Sequence, residues 1–538
     1  MAQQPEVLAP TPTPEHHHKS DPNVKHFGDM TIVKAPIQEY EQLITNDQLI
    51  QEVLIAEFTR NPKTLNLDIK PNDPATPEMA YARFGHINET FATINDIPRN
   101  QAEPDKPTTN EAYFRAVAQK TLDSTGVQKR YRPGPPEAFP DDQQMFEKTA
   151  AIGADTLQRL IESKGWNDGK GIEGLIVVGS YLPVKIRQMV IDRVRQIEAE
   201  TSVTLLGDIP KDNQIDVRTY CAGVATALTL AQTLKRFKNT KRLAILVVEP
   251  LGHYSHPDHF FIENMHIPAI FGSGYGAIGY SPDNHSLLSA LIKIIPGGGI
   301  GVAEKYEVHP EESQETFQGH TMTEEINSAL DEPIIDIETP GAQDIIAITP
   351  KGIFIKSQGI PKELSAQGIH ASMDGPTTGQ FFKEHTPPVI TKVITQTASI
   401  TKRLGNKFPI TSLSKKVYSH IPALGVGSAI NKVLKRDRRR QGLSEEDAPQ
   451  INLSLLDEGL YNGSSFTLLN VLFMEADKQP FYKGDTITMG APGIGSAIVY
   501  LALQRKPSTP AIDALTNPFI SEKAKNNLLF HLTLARLH

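Results

Sequence analysis

Two apolar runs constrain the fold of this chain more than any other feature of its sequence. Leu175–Val178 and Leu243–Val248 are unbroken stretches of Leu, Ile, Val and Ala. Strands that are buried on both faces have this character, whereas strands with one face in water alternate apolar and polar residues. Helical patterns at 145–164 and 184–199 alternate with these runs. The alternation predicts an α/β fold in which helices cover both faces of a sheet.

The second half of the chain has the same character. Strand patterns lie at 345–348, 352–355 and 485–489, and helical patterns lie at 387–404 and 426–434. Because a chain of 538 residues is too long for one simple core, we expect two or more domains or a duplicated fold. We divide it into an N-terminal extension that is partly disordered (1–75), a first half (76–300), an insertion or connection (301–345) and a second half (346–538).

Weaker local patterns complete the secondary-structure prediction. The first 30 residues are rich in Pro, Gln and His and predict a disordered tail. A helical pattern runs from about Gln38 to Phe58, and short strands are predicted at 82–87 and 202–206.

Composition excludes several classes of function. The chain has 54 basic and 62 acidic residues, a net charge of -8, which argues against a general nucleic-acid-binding protein. No uninterrupted apolar run approaches the roughly 18 residues of a membrane span, and the N-terminus lacks a basic-then-apolar signal pattern. One cysteine cannot form an intrachain disulfide. We therefore expect a cytoplasmic protein without a membrane span or a nucleic-acid partner.

The single cysteine, Cys221, has an informative context. Small residues surround it in Thr219–Ala227 and open an apolar-periodic segment that runs to about Phe237. This pattern predicts a turn between a strand and a helix, where unpaired backbone N–H groups and the helix dipole favour a thiolate. Cys221 is therefore a candidate nucleophile. The alternative is that it is a small buried apolar residue, as many free cysteines are.

Several blocks of residues carry a resemblance to a known family. In chain order they are Thr125–Arg130, Ile172–Ser180, Cys221–Gly223, Phe271–Gly274, Met373–Gly375, Ser419–Ala423, Tyr461–Ser465, and Gly484–Asp485 leading to Gly490–Gly495. With these blocks the chain resembles the thiolase superfamily and, within it, the β-ketoacyl-acyl-carrier-protein synthase III group. The resemblance extends from about residue 80 to the C-terminus and leaves the first 75 or so residues unexplained.

The resemblance implies a fold and a chemistry. The fold would be a thiolase-like duplicated αβαβα layered fold with an N-terminal extension. Cys221 would hold an acyl group as a thioester, and His420 and Asn462 would donate hydrogen bonds to the enolate of a decarboxylating malonyl thioester. The backbone N–H of Cys221 and the active-site loop at Gly493 and Gly495 would form a second oxyanion site.

Substrates and partners follow from the same resemblance. An acyl-CoA would load Cys221, and a malonyl-acyl carrier protein or similar thioester would extend the acyl group to a 3-oxoacyl product. Coenzyme A and the phosphopantetheine arm are then substrates, and neither a metal nor another cofactor is needed. Family members are homodimers, so a homodimer is expected.

Some residues leave alternatives open. A lone histidine such as His420 is commonly structural, and Asn462 before a glycine is an ordinary turn residue. The family's histidine is normally followed by Gln-Ala-Asn, whereas Ile421-Pro422-Ala423 follows here. This departure leaves open a non-decarboxylating acyltransferase on the same fold. A catalytically silent thiolase-fold protein that binds acyl groups or a partner subunit is a further alternative.

Two other clusters of polar and charged residues are candidate sites. His253, His256, Asp258, His259 and Glu263 have spacings that could bind a metal. However, Pro257 would break the helix needed to align them, so we predict a polar loop and no metal site.

The second cluster is basic and consists of Lys435, Arg436, Arg438, Arg439 and Arg440. It is either a solvated helix end or a docking patch for an acidic carrier protein.

Overall fold

A computed structural model describes most of the regular core of the chain. The described residues are 21–27, 30–65, 69–84, 108–135, 138–140, 142–180, 183–233, 237, 240–255, 262, 265–281, 285–294, 345–349, 352–356, 375–403, 417–421, 424–442, 444–452, 463–478, 486–493 and 497–505.

Fourteen strands lie within these residues. They are β1 (Val24–Phe27), β2 (Met30–Lys34), β3 (Gln42–Thr45), β4 (Lys129–Arg132), β5 (Gly174–Val178), β6 (Gln214–Arg218), β7 (Leu243–Glu249), β8 (Gly274–Tyr280), β9 (His285–Ile294), β10 (Ile345–Thr349), β11 (Gly352–Lys356), β12 (Val417–Ser419), β13 (Thr486–Gly493) and β14 (Ala497–Arg505).

Ten α-helices lie within the same part of the chain. They are α1 (Asn46–Leu65), α2 (Pro77–Phe84), α3 (Asn110–Thr125), α4 (Asp142–Ser163), α5 (Pro183–Thr201), α6 (Gly223–Thr233), α7 (His266–Ile270), α8 (Gly375–Arg403), α9 (Leu424–Arg440) and α10 (Phe466–Lys478).

The strands form two main sheets. The first has the order β1-β2-β8-β7-β5-β6-β11-β10, with β7, β5, β6 and β11 parallel at its centre and antiparallel strands at both edges. The second has the order β12-β13-β14-β9, in which only β12 and β13 are parallel. A separate antiparallel pair joins β3 to β4.

Each face of the first sheet contributes to a different apolar core. Ile176 and Val178 of β5 pack with α6 and α10 in one core, which also contains Met489 of β13. Leu175 and Val177, which point to the opposite face, pack with α4 and α5 in another core. This alternation on a fully buried strand is what an unbroken apolar run permits. The predicted two-sided burial is therefore confirmed.

The second sheet is covered in the same way. Met489 and Val499 point toward α6 and α10, whereas Ile498 and Tyr500 face Ile390 of α8 on the other side. Since α6 contacts strands of both sheets, the layers run from α4 and α5 through the first sheet, α6 with α10, and the second sheet to α8. The αβαβα arrangement that the family resemblance implies is confirmed.

Strand membership differs from the predicted division of the chain. β9 lies before the expected connection at 301–345 but belongs to the second sheet, whereas β10 and β11 adjoin β6 in the first. Within the expected N-terminal extension, β1 and β2 complete the first sheet by pairing β2 with β8. Each sheet therefore contains strands from both sides of the predicted boundary. In the second sheet, β9 pairs with β14 over a separation of about 200 residues.

Three local predictions differ from the structure. Residues 77–84 form α2 instead of a strand at 82–87, since Thr76 caps the helix through a 3.1 Å bond from Met79 N to Thr76 Oγ1. Residues 202–206 form no strand, because the N–H groups of Leu205 and Leu206 donate to the Glu198 carboxylate.

The third difference lies in the pattern from Gln38 to Phe58. It divides into a 3-10 turn at Ile37–Glu39, strand β3 and the first part of α1. Only the portion from residue 46 onward is therefore the helix that the pattern predicts.

Candidate active site

Cys221 lies in the turn between β6 and α6. The residues Tyr220–Ala222 form a 3-10 turn directly before the helix, so the predicted strand-to-helix position is confirmed, with β6 as the strand. Tyr220 has a φ of 47°, a left-handed conformation that is unfavourable for a side chain of this size. Such strain is concentrated at functional sites.

The helix that follows Cys221 packs unusually closely. A Cβ atom added to Gly223 would lie 2.4 Å from Val178 Cγ1 and 2.9 Å from Ser465 Cβ. Only a glycine therefore allows the first turn of α6 to approach both β5 and the start of α10. This approach brings Cys221 against a segment that lies more than 240 residues further along the chain.

The thiol of Cys221 is protonated at neutral pH. Its side chain is 3% exposed, and burial raises the pKa of the thiol to about 12, with a further increase from the negative charge of Glu249. A hydrogen bond that the Ser464 hydroxyl donates to Sγ, at 3.6 Å, opposes this increase. The expectation that the turn favours a thiolate at rest is wrong, because the cost of desolvating a thiolate exceeds the effect of the helix terminus.

Glu249, the last residue of β7, is a buried acid beside this turn. It accepts hydrogen bonds from the Ser180 N–H at 2.8 Å and the Ser180 hydroxyl at 3.1 Å. It also accepts from the Ser465 N–H at 3.2 Å and from the Ser465 hydroxyl. Burial raises the pKa of Glu249 to about 7, although these hydrogen bonds act in the opposite direction.

Ser464 connects the acid to the thiol. Its Oγ lies 3.0 Å from Ser180 Oγ and 3.6 Å from Cys221 Sγ. Like Tyr220, Ser464 has a left-handed backbone, with a φ of 52°. The side chains of Cys221 and Ser464, each in a turn that contains a left-handed residue, therefore meet where β5, β7, α6 and α10 end or begin.

His420 follows β12 and adjoins the same region through β13. Its backbone N–H donates to Gly490 O of β13 at 3.1 Å, and β13 in turn contacts the 3-10 turn that carries Cys221. The imidazole is 2% exposed, and burial lowers its pKa to about 3. It is therefore neutral at physiological pH.

The ring of His420 retains an available nitrogen. Within the residues that the structure describes, no hydrogen-bond partner reaches Nε2. A buried nitrogen in this state is uncommon, because most buried polar atoms are paired. The tautomer with a proton on Nε2 can donate one hydrogen bond to a bound group.

Of the other residues predicted to belong to the active site, the structure describes Gly493 but not Asn462 or Gly495. Gly463, which follows Asn462, is buried close to Gly274. Gly493 is the last residue of β13 and pairs with Ala497. The expected loop at Gly490–Gly495 is thus strand as far as Gly493, because β13 and β14 continue their ladder to that point.

The basic cluster is a helix end, as one of the two predicted alternatives proposes. α9 ends at Arg440. Arg439 pairs with Glu445 at 2.5 Å, and Asp437 lies 3.9 Å from Arg440 and 4.0 Å from Arg436. The side chains of Arg439 and Arg440 remain 70% and 69% exposed, so they are accessible to a partner.

The histidine cluster lies mostly outside the described residues. His253 is buried on a 3-10 turn with its ring 6.3 Å from Phe139; His256, Asp258, His259 and Glu263 lie outside them. Across the described part of the chain, no three His, Cys, Asp or Glu side chains lie close enough together to hold a metal ion. In the same part of the chain, no helix is both long and apolar enough to cross a membrane.

Sequence reasoning missed Glu249, Ser180 and Ser464 as site residues. The available signal for Glu249 was a single acidic residue that ends an otherwise apolar, fully buried strand. Such a residue must be paired or protonated, and it is therefore a candidate for chemistry.

Comparisons with known proteins give matches only among solved structures. No protein-family model and no curated protein matches the chain. It is similar to a 3-oxoacyl-(acyl-carrier-protein) synthase III, with 14% identity over 89% of this chain and 99% of the other and a TM-score of 0.45.

Two further similarities are with named bacterial enzymes. For the 1,3,6,8-tetrahydroxynaphthalene synthase of Streptomyces coelicolor A3(2), a type III polyketide synthase, the identity is 10%, the coverage 89% and 99%, and the TM-score 0.46. For the 3-oxoacyl-(acyl carrier protein) synthase III of Pseudomonas aeruginosa PAO1, the identity is 11%, the coverage 89% and 98%, and the TM-score 0.40.

Proposed function

We propose that this chain is an acyl-thioester condensing enzyme in which Cys221 carries the acyl group. The observation that supports this most strongly is the contact of Cys221 with Ser464, which belongs to the same sequence block as Asn462. His420 adjoins the strand that packs on the Cys221 turn. The blocks that contain Cys221 and Ser464 are thus in contact, and the block that contains His420 lies one strand away from the Cys221 turn.

In the first half-reaction, Cys221 would attack the carbonyl carbon of an acyl-CoA. The Sγ–C bond forms, the bond from carbon to the sulfur of coenzyme A breaks, and the acyl group remains as a thioester. Because the thiol is protonated at rest, this step requires removal of its proton during the attack. Backbone N–H groups at Cys221 would stabilise the tetrahedral oxyanion.

In the second half-reaction, a malonyl thioester would lose carbon dioxide and form an enolate. A neutral imidazole with an available Nε2, such as that of His420, can donate a hydrogen bond to this oxygen, and Asn462 would donate a second. The carbanion then attacks the acyl-Cys221 carbonyl, which expels the thiolate and gives a 3-oxoacyl product. We propose that neither a metal nor a redox cofactor takes part.

The proposal includes a carrier and a setting. Lys435, Arg436, Arg438, Arg439 and Arg440 would bind the acidic carrier protein that presents the malonyl thioester, and a cytoplasmic homodimer with a role in fatty acid or polyketide-type synthesis is part of the same proposal. The exposed side chains of Arg439 and Arg440 support the docking role.

Two observations favour alternatives on the same fold. Ile421, which is buried in an apolar core, stands where family members have a polar residue, and this favours a non-decarboxylating acyltransferase. The burial of Cys221 and the high pKa of its thiol favour a catalytically silent protein that binds acyl groups or a partner subunit.

A two-step experiment separates the three functions. The protein is incubated with a panel of acyl-CoAs, its intact mass is measured, and a malonyl thioester is then added. A condensing enzyme gains one acyl group and loses it on addition of the malonyl thioester, with release of carbon dioxide. Loss of the acyl group without carbon dioxide indicates a simple acyltransferase, and no mass gain in the first step would indicate the silent protein. Cys221→Ala is the matched control and must stay unmodified.

A further inference from the structure

The proposed reaction requires a base for the Cys221 thiol, and none of the residues that the family resemblance names can act as one. The thiol must lose a proton, and His420 is held neutral with a pKa so low that its imidazolium would be unstable. A serine hydroxyl is too weak a base to keep a proton. The proton acceptor must therefore be a group that changes its protonation state near neutral pH and connects to Sγ by hydrogen bonds.

We propose that Glu249 receives the proton of the Cys221 thiol through the hydroxyls of Ser464 and Ser180 as Sγ attacks the acyl thioester. This inference depends on the proposed function for its substrate. The path has three steps: 3.6 Å from Sγ to Ser464 Oγ, 3.0 Å to Ser180 Oγ and 3.1 Å to Glu249 Oε1. Glu249 touches no reacting atom and acts only through the two serines.

The proton count closes over one turnover. At rest the Ser464 hydroxyl donates to Sγ and Ser180 donates to the Glu249 carboxylate. For the transfer, the Ser464 hydroxyl turns to donate to Ser180, 3.0 Å away, and Sγ–H then donates to Ser464. During the attack each proton moves one step, so Glu249 becomes a carboxylic acid and Ser464 donates toward Sγ. The departing coenzyme A thiolate takes a proton from water. When condensation expels the Cys221 thiolate, the proton returns along the same path.

The electrostatics keep the proton on sulfur until the attack begins, because the pKa of the thiol is higher than that of Glu249. Glu249 and Cys221 are both fully buried, and the charge of Glu249 raises the pKa of the thiol. Two negative charges in one buried site are unfavourable, whereas moving the proton leaves the site with one negative charge throughout. A pKa of about 7 for Glu249 means that a large share of the molecules hold a carboxylate that is ready to accept at neutral pH.

Few other titratable groups face Glu249 from the described elements. Cys221 lies on the 3-10 turn before α6, and α6 itself, Gly223–Thr233, contains no titratable residue. On β8, Gly274 pairs with Glu249, and the nearest titratable residue is Tyr275, the next position along the strand. On α4, the residue that approaches Val248, the neighbour of Glu249, is Gly153, which cannot titrate. On α10 the first charged residue is Glu475, more than two turns from Ser465. The titration near pH 7 is therefore assigned to Glu249.

The test measures the rate at which a small thiol-specific reagent modifies Cys221 as a function of pH. The chain has one cysteine, so the intact mass reports this site alone and no acyl substrate is needed. In the wild-type protein we expect the rate to rise with pH through about 7 and then level off. In Glu249→Gln and in Ser464→Ala that rise should vanish, and the rate at neutral pH should fall about 100-fold.

Ser465→Ala is the matched control. Ser465 donates to Glu249 but lies outside the path to Cys221. Its hydroxyl lowers the pKa of Glu249, so its removal should keep the rise and move it to higher pH. Circular dichroism and thermal melting establish that each variant is folded.

Three results would overturn the relay. A Glu249→Gln protein that reacts faster at neutral pH indicates that Glu249 acts only through its charge, since loss of that charge lowers the pKa of the thiol. A rate lowered by the same factor at every pH indicates a purely structural role. A wild-type thiol that is unreactive at all pH values excludes a relay. The reactivity assay contains no acyl-CoA, so it tests the relay independently of the proposed function. If the pH dependence is as expected but no acyl-CoA acylates the protein, the relay stands and the proposed function is refuted.

Discussion

Replacement of His420 by a residue that cannot titrate should reduce the acid sensitivity of the fold. Burial lowers the pKa of this imidazole from 6.5 to about 3. The folded state thus keeps it neutral, while the unfolded state binds a proton as the pH falls below 6.5. Between these two pKa values only the unfolded state binds the proton. The free energy of unfolding is therefore unaffected above pH 6.5 and decreases progressively as the pH falls from 6.5 toward the folded-state pKa.

The magnitude follows from the two pKa values. One pKa unit corresponds to about 1.4 kcal/mol, so between about pH 7 and pH 5 the wild-type protein should lose about 2 kcal/mol through this one residue. The folded-state pKa lies well below this window, and the loss down to pH 5 is therefore governed by the unfolded-state value. Since the side chain is 2% exposed, solvent screening is small.

The assay is urea denaturation at the two pH values for the wild type, His420→Asn and His420→Phe. Asn keeps a polar group and Phe keeps a buried ring, so a shared effect reports titration and not packing. Both variants should lose about 2 kcal/mol less than the wild type between the two pH values. Equal losses in all three proteins would refute the neutral, buried imidazole on which the proposed hydrogen bond to the enolate depends.

Other substitutions give independent tests. Gly223→Ala should destabilise the protein by about 1–3 kcal/mol in urea denaturation, since its Cβ would collide with β5 and the start of α10. The control Gly425→Ala, whose added Cβ would have no atom within 4 Å, should be neutral or slightly stabilising. A similar loss of stability in both variants would contradict the close approach of α6 to β5 and α10. Asn462→Ala should slow decarboxylation more than acyl loading, and equal losses in the two half-reactions would exclude its role at the enolate. The pair Arg439→Glu and Arg440→Glu should raise the KM for a carrier-linked malonyl thioester about tenfold but leave that for acyl-CoA unchanged; unchanged KM values for both would remove α9 as the docking surface.

Local sequence patterns predicted the centre of the fold well. The run Leu175–Val178 becomes β5 with both faces buried, because an uninterrupted apolar stretch bounded by glycines has few other stable environments. The helical patterns at 145–164 and 184–199 become α4 and α5 for a similar reason, since their apolar periodicity matches one buried face.

Long-range pairing could not be predicted in the same way. Nothing in 285–294 indicates that β9 joins β14 of the second sheet, and nothing in the hairpin of β10 and β11 indicates that it adjoins β6. These choices depend on which sheet edge is open once the core has formed, and this is a property of the assembled layers.

The site shows the same division. The position of Cys221 in a turn before a helix follows from the small residues around it, but its protonation state does not. The thiol is neutral because α6, α10 and β13 enclose it and because Glu249 is charged nearby. Among the described residues, hydrogen bonds connect Glu249 to Cys221 through Ser180 and Ser464, and Ser464 lies 243 positions from Cys221. No local pattern could have linked them.

The central claim is that Cys221 becomes acylated. The most direct measurement is peptide mapping by mass spectrometry after brief incubation of the wild-type protein with acyl-CoA at neutral pH. We predict one acyl group per chain, found on the peptide that contains Cys221 and absent from Cys221→Ser. An acyl group on any other peptide, or an unmodified wild-type chain with every acyl-CoA supplied, would contradict the account.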